Sequence, residues 1–173
     1  MTDDALWYEA AHLVGITNAL NVVADAPLAA LEPAGAAPEA EQVFAEIRAF
    51  YGRAVPVAFL RLGGDPGYLA EVWAATRRAF TDNRLTRRLK EALAFAVSVT
   101  SRSPFGTTFH LGEMRRLGVG ERGVMEVLGV TQMFSSYTKI ADTLQLESDM
   151  HDLAPVDWSP APGGPPRPHP AKA

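Results

Sequence analysis

The feature that most constrains this chain is its punctuation. Apolar residues recur at helical spacing almost from end to end. Gly, Pro and Asp clusters cut that pattern into helix-length pieces. The segment Val55 to Leu62, VPVAFLRL, is short and apolar enough to read as a buried strand. With helices on both sides and no partner strand in sight, a short helix is the expectation. The fold class predicted is all-α.

The first helix is expected from Asp4 to about Ala26, with Leu6, Leu13, Ile16, Leu20 and Val23 on its apolar face. Asp3 and Asp4 suit its start by capping and by opposing the positive end of the dipole. Pro27 stops it, and Ala29 to Ala37 reads as a linker loop. A second helix begins near Pro38, carries Val43, Phe44, Ile47, Phe50 and Tyr51, and ends at Gly52. Gly63-Gly64-Asp65-Pro66 is a turn followed by a helix start, with Asp65 as N-cap and Pro66 in the first helical position. That helix runs to about Phe80 and presents Leu69, Val72, Trp73 and Phe80.

Another helix is expected from about Thr86 to Thr100, burying Leu89, Leu93, Ala96 and Val97. After the sharp connection Ser101 to Pro104, Phe105 to Leu117 is helical and stops at Gly118, a good left-handed cap residue. A last helix covers about Glu121 to Leu144. Beyond Leu153 the chain is Pro-rich and reads as a disordered tail, so one domain over 1–153 and a tail over 154–173 are expected. Asn21-Val-Val-Ala-Asp25 and Thr138-Lys-Ile-Ala-Asp142 echo one another near the ends of the first and last helices, which suggests similar surroundings.

Charge and cysteine content narrow the function. A net charge of -4 and a pI near 5.5 argue against nucleic acid or an anionic membrane as partner. No apolar run approaches the ~20 residues needed to span a bilayer. The acidic start MTDDALWYEAA is no signal peptide, so a cytoplasmic location is the default expectation. There is no cysteine, which removes disulfides, thiolate metal sites and Cys nucleophiles. Neither His12, which follows Glu9, nor His151 has metal-ligand spacing, and no phosphate-binding Gly-rich loop occurs, so no metal and no cofactor are expected. Trp7, Tyr8, Trp73, Phe105, Phe109, Phe134 and Tyr137 read as core or interface aromatics. Arg84, Arg87 and Arg88 read as a solvated face.

The candidate chemistry lies between Leu89 and Gly118, LKEALAFAVSVTSRSPFGTTFHLGEMRRLG. Glu91 sits one turn into its helix, where it can pair with Arg87 or Arg88. His110 sits mid-helix and is either a core histidine bonded to Glu91 or half of a Glu–His pair able to exchange a proton. Ser103 is a third candidate, as a nucleophile if His110 reaches it, although no serine-hydrolase motif accompanies it.

This stretch resembles the active-site hairpin of the alkylhydroperoxidase D-like (AhpD-like) and carboxymuconolactone decarboxylase-like superfamily. The flanks PGYLAEVWAATRRAF and FHLGEMRRLGVGERGVMEVLGVTQMFSSYTKIADTL are similar to the helices around that hairpin. The resemblance implies an AhpD-like helical bundle and places the family glutamate at Glu91 and its histidine at His110. The two cysteines of the redox members fall on Ser103 and Gly106, so the dithiol peroxidase route is closed. It further implies a homo-oligomer, a dimer, trimer or hexamer. Two functional readings stand beside each other: acid–base chemistry on a small organic acid or lactone, and a non-catalytic helical oligomer that binds a ligand or protein partner. APEAEQVFAEIRAFYG and VPVAFLRLGGDPGYLAEVW also faintly resemble group I haloacid dehalogenases, which leaves a hydrolase as a further alternative.

Overall fold

A computed structural model describes residues 4–26 and 37–146. The expected Asp3–Asp4 cap, the linker at 29–36, His151 and the Pro-rich tail lie outside the residues whose side chains or backbone are described. Among the described residues the chain is all-α: α1 (Asp4–Asp25), α2 (Ala40–Tyr51), α3 (Val57–Leu60), α4 (Pro66–Phe80), α5 (Arg87–Thr100), α6 (Pro104–Arg116) and α7 (Glu121–Leu144).

The punctuation residues set the helix ends. Asp65 accepts the Tyr68 N–H at 3.0 Å, with Pro66 in the first turn of α4. Thr86 accepts the Leu89 N–H at 3.3 Å and opens α5. Gly52 (φ 65°) and Gly118 (φ 82°) take the left-handed conformation that ends α2 and α6. VPVAFLRL forms the short α3, and Arg61 just after it caps another helix. Its guanidinium donates to the carbonyls of Val23, Ala24 and Ala26 at 2.9, 2.6 and 3.0 Å, satisfying the open end of α1 and meeting its negative pole.

The main core joins Leu20 and Ala24 of α1 to Phe44, Ile47, Tyr51, Phe59, Leu69 and Trp73. Trp73 lies edge-on to Phe50 and Phe59, at 5.4 and 5.7 Å between ring centres, and its Nε1 donates to Glu46 at 2.9 Å. A second cluster unites Leu13, Ala79, Phe80 and Ala94, and a third unites Phe95, Met114 and Val124. α5 and α6 form a helical hairpin, with α1 laid against both.

Three expectations are corrected. The buried residues of α5 are Lys90, Glu91, Ala94, Phe95 and Ser98, while Leu89 is 46% exposed and Leu93, Ala96 and Val97 are only partly covered. The hydrophobic stripe fails as a guide because α5 packs against α1, α6 and α7 at once, and its polar residues find partners inside. The echo between α1 and α7 does not extend to surroundings: Asn21 and Ala24 are buried, whereas 138–140 are exposed. The third, concerning Arg87, belongs to the site.

α7 buries only Val124 and half-covers Val127 and Leu128 against α5 and α6. On another face it carries Val130, Met133, Phe134, Tyr137, Ile140 and Leu144 at helical spacing, each at least half exposed.

Candidate functional site

Glu91 on α5 and His110 on α6 meet inside the hairpin. Glu91 Oε2 lies 2.7 Å from His110 Nδ1. Glu91 is fully buried and His110 is 4% exposed. The imidazole is clamped by Phe80, parallel at 5.7 Å, and by Phe109, edge-on at 5.1 Å. Hydrogen bonding to a carboxylate assigns the proton to Nδ1 and leaves the lone pair on Nε2. Among the described residues Nε2 has no hydrogen-bond partner.

The second oxygen of Glu91 receives Arg87 Nε at 2.6 Å. Arg87 Nη2 also lies 3.5 Å from Glu113, a fully buried carboxylate on α6 that Arg53 and Arg116 approach at 3.3 and 2.7 Å. The Arg87 guanidinium lies over Phe50 and Phe80, at 4.6 and 5.1 Å. Arg87 is therefore no part of a solvated face. Arg84 and Arg88 are exposed, but two buried carboxylates draw Arg87 inward because neither could stay charged there unpaired. Tyr51 borders this group. Burial, with the negative charge of Glu91 added, pushes its phenol well up, so it remains neutral.

Ser103 is buried at the start of α6. Its Oγ accepts the Gly106 N–H at 2.9 Å, and its carbonyl accepts the Thr107 N–H at 3.0 Å. The hydroxyl thus caps a helix and makes no hydrogen bond with His110. Gly106 packs directly against Asn21 of α1 and Ser98 of α5.

A second charged pair lies beside Glu91 at the same end of α5, where the helix meets α1. Lys90, fully buried, meets Glu9 of α1 and the carbonyl of Thr81. Burial raises the Glu9 carboxyl; the hydrogen bond and charge of Lys90 and the N–H groups of Arg84 and Leu85 outweigh it and leave Glu9 below the usual carboxylate value. His12, exposed, lies 3.1 Å from the Ala75 carbonyl. A cleft of about 780 Å³ opens here, lined by Tyr8, Glu9, His12, Arg78, Asn83 and Arg84. Its lining includes neither Glu91 nor His110.

The helices that carry this site have counterparts among known proteins. Residues 66–146, α4 through α7, match the model of the carboxymuconolactone decarboxylase family. The crystal structure of the alkylhydroperoxidase AhpD core from Rhodospirillum rubrum shares the fold, with a TM-score of 0.64 and 23% identity over 78% of this chain and 96% of that one. Over α4 to α7 the chain is thus similar to the carboxymuconolactone decarboxylase family, and its fold is that of the AhpD core. No curated protein matches its sequence. The family match spans Glu91, Ser103, Gly106, His110 and Glu113 but stops short of α1, which supplies Asn21 and Glu9.

Sequence reasoning paired Glu91 with His110 and with Arg87 or Arg88, of which the structure selects Arg87, and it missed Lys90, Ser98, Glu113 and Asn21. Glu113 sits three residues after His110 and three before Arg116, a spacing that brings side chains together on a helix. Asn21 gives no local signal. The one available clue was Gly106 itself, a glycine inside a helix where another group comes close.

Proposed function

We propose that this cysteine-less chain acts in the cytoplasm by acid–base chemistry on a small organic acid or lactone. His110 exchanges the proton through Nε2, and Glu91 orients it and offsets the charge that the ring gains. The observation that carries this reading is the 2.7 Å Glu91–His110 contact, with Nε2 unpartnered among the described residues. A general base must have its accepting nitrogen free and its other nitrogen held, and this pair meets both conditions. Arg87 supports it by occupying the second carboxylate oxygen, so Glu91 is held at both ends. Ser103 contributes by fixing the first turn of α6 rather than as a nucleophile.

The test is turnover of a panel of small lactones and carboxylic acids in D₂O, followed by proton NMR for ring opening, loss of CO₂ or deuterium exchange. A substrate found this way should lose roughly 10²–10⁴-fold in rate with His110→Gln. Conversion that survives both His110→Gln and Glu91→Gln would sink the reading.

A second reading rests on α7. Its exposed apolar face, Val130 to Leu144, suits a helical homo-oligomer in which this face meets a second copy. The two readings are compatible, and light scattering of the purified chain tests the second by mass.

A further inference from the structure

Gly106 stands one turn before His110 on α6. Its backbone is ordinary helix, so no torsion there demands glycine; volume does. A Cβ at this position would lie 2.1 Å from Asn21 Oδ1, 2.4 Å from Ser98 Oγ and 2.8 Å from Asn21 Cγ. Non-bonded carbon contacts settle at about 3.5–4.0 Å, so any side chain at 106 must evict both neighbours.

Neither neighbour is loosely placed. Asn21 is 3% exposed, and its Nδ2 donates to Ser98 Oγ at 3.0 Å and to Ser101 Oγ at 3.4 Å. Ser98 is fully buried and donates to the Ala94 carbonyl at 2.8 Å. Asn21 Oδ1, buried, has no partner among the described residues. An unpaired buried acceptor is a cost that an apolar residue of similar size would avoid, but only the amide can fill the space and also be held there by Ser98 and Ser101.

We propose that Asn21, latched by Ser98, is the residue that closes the second thiol position. Its carboxamide takes the volume that a side chain at 106 requires, and it commits the hairpin to a form that no thiol at 106 can enter. A dithiol would need a cysteine at Ser103 as well, and a side chain at 106 needs more than its own substitution. Asn21 and Ser98 have to give way together with it. This inference stands apart from the acid–base reading, since it concerns occupancy rather than turnover.

The experiment compares Gly106→Cys, and the milder Gly106→Ala, in the native chain and in an Asn21→Ala/Ser98→Ala parent. Thermal unfolding is the readout. In the native chain each substitution should lower Tm by about 5 °C or more, as overpacking of a filled core does. In the relieved parent the same change should cost less than half as many degrees. Gly106→Ala folding only in the relieved parent supports the proposal as well. Equal losses in both backgrounds, or failure to fold in both, overturn it. Should the double parent not fold, Asn21→Ala and Ser98→Ala singly carry the same comparison, with relief expected in each.

Discussion

Lys90 of α5 ends its fully buried side chain on Glu9 of α1, eighty-one residues earlier in the chain. The pair ties α5, inside the family match, by charge to α1, which lies outside it. Glu9→Gln leaves the Lys90 ammonium inside with the Thr81 carbonyl and no counter-charge. Chemical denaturation at neutral pH should show a loss of about 3–5 kcal/mol.

The same pair fixes one sign of pH dependence. Glu9 is held below its ordinary carboxyl value of 4.5, so its contribution is fully present above that value and is lost as pH falls through the lower folded-state value. The stability gap between the native chain and Glu9→Gln should therefore be constant above pH 5 and narrow on further acidification. A gap that widened as pH fell would contradict the pairing.

Two i,i+4 pairs offer a controlled contrast. Arg87–Glu91 is buried, with side chains 12% and 0% exposed, whereas Arg122–Glu126 on α7 is 94% and 67% exposed. Double-mutant cycles to alanine should give the first pair a coupling above about 1 kcal/mol and the second about 0–0.5 kcal/mol. Equal couplings would mean that burial is not what strengthens Arg87–Glu91.

The α7 face predicts association. Phe134→Glu with Ile140→Glu, two substitutions on the exposed apolar stripe, should reduce the molar mass measured by light scattering to that of a single chain of 18.6 kDa. An unchanged higher mass would move the interface elsewhere. A native chain already at 18.6 kDa would remove it.

Gly118 tests the left-handed stop of α6. Nothing lies within 4 Å of a Cβ placed there, so Gly118→Ala meets open space and pays only for its φ of 82°. The expected loss is about 1–2 kcal/mol in denaturant midpoint analysis. It also gives a scale for Gly106→Ala, where the penalty has the opposite origin.

Much of the fold was legible because its signals are local. Asp65-Pro66, Thr86, Gly52 and Gly118 each act on a backbone within a few residues, and each does in the structure what its chemistry dictates. The Glu91–His110 pair was legible through the resemblance and through helix spacing. What could not be read is what depends on a distant helix. Lys90 and Ser98 look like solvent residues until α1 brings Glu9 and Asn21 to them. Leu89 looks like core until the polar face of α5 is seen to point inward. Arg87 illustrates the same limit: its own helix gave it Glu91, but only α6 adds Glu113.

The reach of α1 bears on the order in which the molecule is made. Its contacts close over long stretches: Asn21 waits 77 residues for Ser98, and Asp25 waits 80 for the Phe105 N–H. At about 5–20 residues per second, Ser98 is added roughly 4–15 s after Asn21. Until then α1 can meet α3 and α4 but has no hairpin to lie against. The seating of α1 is thus completed only after the hairpin is made, and the contact of Asn21 with Ser98 and Gly106 arrives with that docking.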